Sequence, residues 1–116
     1  DAIVAAKENA KRNKIDNATF KVGDMRKVFT DGFVKRYKTP DVIITDPPRD
    51  GMHKDVVEQL LKVSPSKILY ISCNPSTQAR DLAMLKAAYK VELSQAVDMF
   101  PHTQHVENIV LLSKRL

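Results

Sequence analysis

Two short apolar runs, Val42-Ile43-Ile44 and Ile68-Leu69-Tyr70-Ile71, each break off at a polar turn that contains proline. The first runs into Asp46-Pro47-Pro48-Arg49 and the second into Cys73-Asn74-Pro75. An unbroken run of β-branched and aliphatic residues suits a strand covered on both faces, as in a parallel sheet layered with helices. Proline cannot continue the ladder, so each run has a defined end. Between them, Val56, Val57, Leu60 and Leu61 recur at helical spacing over residues 53–63. Strand, helix, strand is the unit from which α/β layers are built.

The rest of the chain extends that alternation. Residues 1–13 place Ile3, Ala6 and Ala10 on one helical face. Thr19-Phe20-Lys21-Val22 alternates and stops at Gly23-Asp24, which predicts a short strand. Residues 26–37 carry Val28, Phe29, Phe33 and Tyr37 as one amphipathic helix. Gly32 weakens it by about 1 kcal/mol relative to Ala, and Pro40 bounds it. After Cys73, either Asn74 or Ser76 caps a helix with Pro75 in its first turn. That helix runs to about Ala88 and buries Ala79, Leu82 and Leu85. Val91, Leu93 and Val97 occupy odd positions of a strand, residues 98–105 are a loop, and Val106–Leu112 is the last strand. No helix separates these two strands, so they are predicted to pair antiparallel. The fold class expected is α/β, a mostly parallel sheet with an antiparallel C-terminal hairpin.

With 116 residues the chain is one small domain or part of a larger one, and 43% apolar residues allow a core. Its opening residues read as the interior of a helix, which predicts a chain cut from a longer protein. Nineteen basic residues against 14 acidic ones give net +5, a balance that favours a polyanionic partner without specifying it. The single cysteine, Cys73, rules out a disulfide within the chain and points to a reducing, cytoplasmic compartment. No apolar stretch reaches membrane-spanning length.

In an open parallel sheet, ligands bind outside the carboxyl ends of the strands. Gly23-Asp24, Asp46-Pro47-Pro48-Arg49 and Cys73-Asn74-Pro75 all follow predicted strands, so they share one rim. Asp46 can accept from an ammonium, amide or hydroxyl of a ligand, or it can cap its own turn; both readings stand. Cys73 sits before a helix N-terminus, which stabilises a thiolate. A lone cysteine is usually an inert core residue, but Asn74 and Pro75 beside it argue otherwise. Glu107, flanked by Val106 and Ile109, is a candidate general base if partly desolvated, or a surface residue on an edge strand. His102, His105 and Cys73 lack the paired spacing of zinc ligands, and no metal is expected.

Three ordered motifs resemble those of the bacterial RNA uracil-5-methyltransferases. They are Asp46-Pro47-Pro48-Arg49-Asp50-Gly51, Ile71-Ser72-Cys73-Asn74-Pro75 and the stretch from Asp98-Met99-Phe100-Pro101 through His102-Thr103-Gln104-His105-Val106-Glu107. The resemblance implies a Rossmann-like class I methyltransferase fold that uses S-adenosylmethionine (SAM) on a uridine of rRNA or tRNA. It implies that Cys73 is the nucleophile on C6 of uracil and Glu107 the base that removes the C5 proton. Asp46 and Asp24 would contact SAM, and Arg49 and His105 would orient the base or its phosphate. Enzymes that methylate exocyclic amines carry a similar Asp-Pro-Pro motif followed by an aromatic residue; here Arg49 takes that place. A base-nitrogen methyltransferase and a non-catalytic α/β interaction module are the competing readings.

The chain departs from the family in lacking the Gly-rich SAM loop, the first two strands and the N-terminal RNA-binding domain. Residues 1–116 are thus expected to be the C-terminal part of the catalytic domain. The strand at 19–22, without its usual neighbours, is expected to pair with residues 42–46 or with another chain, as a rearranged edge or a dimer. The 116 residues alone are expected to bind SAM weakly and to methylate nothing.

Overall fold

The computed structural model describes residues 2–99, 102 and 106–116. Its described strands form a single mixed sheet in the order β1-β2-β4-β3. Strand β1 (Val42–Thr45) runs parallel to β2 (Lys67–Ser72), joined through helix α1 (Lys54–Val63). The hairpin of β3 (Tyr89–Val97) and β4 (Glu107–Lys114) is antiparallel, and β4 inserts between β3 and β2. The α/β class and the C-terminal hairpin are as expected. The sheet is mixed: β1, β2 and β3 run in one direction, and β4 alone is reversed, with an antiparallel ladder on each side.

Helix α1 and the following helix α2 (Pro75–Leu85) cover one face of this sheet. The core beneath them joins Val56, Val57 and Leu60 to Ile68, Tyr70, Leu85, Tyr89, Val110 and Leu112. Period-two alternation in the strands explains the choice. Ile68, Tyr70 and Ser72 point into the buried side, and their neighbours do not. The opposite face is open: Val42 and Ile44 are 52% and 66% exposed, and Leu93 is 55% exposed. The β-branched run at 42–44 is therefore buried on one face only, which corrects the two-sided burial expected of it.

Residues 19–22 form no strand. Val22 is 70% exposed, so the alternation there has no apolar surface to lie against and no ladder to join. The single helix expected over 26–37 is two. Met25–Val28 is capped by Asp24, and Asp31–Tyr37 is capped by Thr30, whose hydroxyl accepts from the Phe33 amide. The second cap places Gly32 in a first turn, where its flexibility costs little. Residues Ala2–Arg12 are helical and bury Ala10, as the spacing of Ile3, Ala6 and Ala10 requires. In α2 the buried face is Gln78, Asp81 and Leu85, and Ala79 is exposed. The inward face of that helix is thus largely polar, contrary to expectation.

Candidate active site

The rim at the carboxyl ends of β1 and β2 is built by short-range turns. Ser72 both donates its hydroxyl to the Asn74 carbonyl and accepts from the Asn74 amide, each at 2.9 Å. This closes the turn around Cys73, which is half-buried. Asn74 then caps α2 by accepting from the Ser76 amide, and Pro75 opens the helix where a missing N–H costs nothing. Cys73 therefore stands immediately before a capped helix N-terminus and outside the packed core.

Register pairs Ser72 with Asn108, so Glu107 opens β4 at the end of the sheet where β2 gives way to the Cys73 turn. Glu107 Oε2 is shielded from solvent and has no hydrogen-bond partner among the described residues. A shielded carboxylate oxygen without a donor is costly unless something else supplies one.

Asp24 and Asp46 both line a cleft of about 430 Å³, whose walls include Met25, Ile44, Pro47 and Met52. Asp24 also accepts from the Arg26 amide at 2.9 Å, so one of its oxygens is committed to capping. Neither Cys73 nor Glu107 lines this cleft. Arg49 is exposed, and its carbonyl accepts from Asn74 Nδ2 at 3.1 Å and from Thr77 Oγ1 at 2.9 Å. That pair of bonds ties the Asp46-Pro47-Pro48-Arg49 turn to the helix that follows Cys73. His105 and the stretch Thr103–His105 lie outside the described residues, as do Phe100 and Pro101. Among the described residues no group of three or more His, Cys, Asp or Glu side chains could hold a metal. Nor is any described helix long and apolar enough to cross a membrane.

Sequence reasoning missed the polar groups on the inner face of α2. Gln78 donates to the carbonyls of Tyr70 and Asn108 and accepts from Asn108 Nδ2 at 2.7 Å. Asp81, with no exposed surface, accepts from Tyr70 Oη at 2.6 Å and from the Met52 amide at 2.9 Å. Burial, and next the hydrogen bond to Asp81, push the Tyr70 hydroxyl above its ordinary pKa, which keeps it a donor. The available signal was polar residues three apart at helical spacing, but nothing local told that this face points inward.

The profile of the family described as tRNA (uracil-5-)-methyltransferase matches residues 1–115. The chain belongs to that family. An uncharacterized RNA methyltransferase of Bacteroides thetaiotaomicron is 57% identical over 115 residues, which span 99% of this chain and 25% of that protein. Another from Porphyromonas gingivalis is 52% identical, covering 97% of this chain and 24% of the relative. The chain thus spans about a quarter of the length of these relatives. Among solved structures, the tRNA (uracil-54, C5)-methyltransferase of Pyrococcus abyssi in complex with S-adenosyl-L-homocysteine is 43% identical. It superposes with a TM-score of 0.80 over 96% of this chain and 26% of its own. The Rossmann-like methyltransferase fold of this family member is the fold described above. M1.HpyAVI, at 15% identity and a TM-score of 0.62, shares the fold alone.

Proposed function

We propose that these residues are the C-terminal part of the catalytic domain of a SAM-dependent RNA uracil-5-methyltransferase acting on tRNA or rRNA. The observation that supports this reading is that Cys73 follows the end of β2 and Glu107 opens β4, the strand paired with it, with Glu107 Oε2 shielded and without a partner among the described residues. Family membership and the SAH-bound relative support it.

The residues fit SAM in chemical type. Two carboxylates, Asp24 and Asp46, face a largely apolar cleft, which suits a ligand with cationic and amino groups on a flat apolar body. Bound SAM supplies a methyl group on a sulfonium, an electrophile that C5 of uracil is too weak a nucleophile to meet unaided. Cys73 removes that obstacle. Its thiolate bonds to C6, and the electron pair of the C5–C6 double bond moves onto C5 and the C4 carbonyl oxygen. C5 is then nucleophilic enough to be methylated. Glu107 takes the remaining C5 proton, the C5–C6 double bond reforms, and the C6–S bond breaks to return the thiolate. A base without a donor on its free oxygen is not held back by a competing hydrogen bond. Arg49 and His105 are assigned to orienting the base or its phosphate. The uridine must leave its stack to reach the thiol.

The test uses the full-length enzyme with RNA carrying 5-fluorouridine. Fluorine at C5 cannot leave as a proton, so a methylated covalent adduct should accumulate. Cys73→Ala should abolish the adduct, and Glu107→Gln should accumulate an adduct even on ordinary uridine. Full methylation by Cys73→Ala would remove the covalent mechanism from consideration. Residues 1–116 alone should show no more than weak heat exchange with SAM in a calorimetric titration, because Asp24 and Asp46 line only an open cleft.

A further inference from the structure

The loop from Asp46 to Met52 is a thin partition. Gly51, Met52 and His53 line the cleft that holds Asp24 and Asp46, and the same three line a second cleft of about 500 Å³ bounded by Arg80, Asp81 and Met84. Met52 anchors one end of the loop in the core, while Pro48, Arg49 and Asp50 are exposed, so their position depends on directed bonds. Nearly all of those bonds come from α2. Thr77 Oγ1 and Asn74 Nδ2 donate to the Arg49 carbonyl. Arg80 Nη2 donates to the Asp50 carbonyl at 2.8 Å and lies 3.4 Å from the Met52 carbonyl. Asp81 Oδ2 accepts from the Met52 amide at 2.9 Å.

Asp81 is the centre of this grip. It has no solvent exposure, and Tyr70 Oη, the Met52 amide and the Arg80 guanidinium all donate to it. A buried carboxylate with every lone pair engaged resists displacement, because moving it strands charge. Gly51 is the matching feature on the loop. At φ +81° it adopts a backbone suited to glycine, and a Cβ there would meet Asp81 Oδ2 at 2.8 Å and Arg80 Nη2 at 2.6 Å. The loop is drawn against Asp81 as closely as a backbone allows.

We infer that Asp81, which lines neither the Asp24–Asp46 cleft nor the Cys73 turn, is a positioning residue: with Arg80 it holds the Asp46–Met52 loop as the wall of that cleft and so sets how tightly the cleft takes SAM. The inference rests on the proposed function for the identity of the ligand. Asp81 is silent toward the addition step at Cys73, which needs no methyl donor.

The experiment therefore reads the two separately in the full-length enzyme. Titration calorimetry gives the affinity for SAM. Exchange of tritium from C5 of labelled uridine in RNA into water, without SAM, reads addition by Cys73: a proton from water adds to C5 in place of the methyl group, Glu107 removes the triton, and the C6–S bond breaks to return uracil and the thiolate. Asp81→Leu should weaken SAM by roughly ten- to hundredfold, the scale expected when a site wall shifts by about an ångström. Tritium release should stay within about threefold, since Asp81 reaches β2 only through the Tyr70 hydroxyl and bonds to neither Cys73 nor Glu107. Asp81→Asn, which still accepts from the Met52 amide, should weaken SAM less than Asp81→Leu. Arg80→Met, at a half-exposed residue, tests the same grip if Asp81→Leu does not fold, and should again weaken SAM selectively. Unchanged SAM affinity in Asp81→Leu and Arg80→Met, or SAM affinity and tritium release falling by the same factor, overturns the inference. A wild type that binds SAM but releases no tritium sinks the uracil chemistry while the affinity comparison still decides Asp81. A wild type that binds no SAM sinks both.

Discussion

Replacing Gln78 by methionine should destabilise the domain by about 2 kcal/mol, the cost of leaving two or so buried polar groups without partners at ~1 kcal/mol or more each. Gln78 is 2% exposed, and its amide nitrogen lies 3.2 Å from both the Tyr70 and Asn108 carbonyls. Its carbonyl oxygen accepts from Asn108 Nδ2 at 2.7 Å. Methionine is close to glutamine in volume, so the substitution deletes the hydrogen bonds without opening a cavity. Asn108 Nδ2 keeps a longer bond to Ser94 Oγ at 3.3 Å, which holds the loss below the full sum. For a domain near this size, each 1 kcal/mol moves Tm by about 4–8 °C, so a fall of roughly 8–16 °C is expected. Thermal unfolding followed by circular dichroism measures it. Asn108→Leu should then cost less in the Gln78→Met background than alone, because its partner is already gone. A change under about 0.5 kcal/mol, the level of an ordinary surface substitution, would refute the reasoning.

Two further outcomes follow from the same structure. Burial raises the pKa of both Tyr70 and Tyr89 above tyrosine's ordinary 10.0. Their folded values lie above their unfolded ones, so that stabilisation is whole below about pH 10 and drains as pH climbs past it. Ultraviolet titration should show these two phenols ionising together with unfolding, and a reversible titration of all three tyrosines in the folded chain would contradict this. The outer edge of β1 pairs with no strand among the described residues, and Val42 and Ile44 leave an apolar patch beside it. The 116-residue chain by itself should self-associate there, and Ile44→Lys should shift sedimentation velocity toward monomer. Equal sedimentation of the two would count against that edge.

What was legible in the chain was local. The Val42–Ile44 and Ile68–Ile71 runs become β1 and β2, and the four apolar residues of 53–63 become the inward face of α1, because periodicity follows from backbone geometry alone. Proline and asparagine punctuation placed Asp46 and Cys73 at strand ends for the same reason. Partners far apart in the chain decided the rest. Thr19–Val22 has strand-like alternation but no ladder to join, so it stays irregular. The position of β4 between β2 and β3 made the sheet mixed and paired the start of β4 with the end of β2, a pairing of segments over thirty residues apart that no local pattern encodes. The inward face of α2 turned on Met52, Tyr70 and Asn108, which supply the hydrogen bonds that let Gln78 and Asp81 be buried. A polar side chain goes inside only where tertiary structure brings it a partner, and its own sequence neighbourhood cannot say whether one will be there.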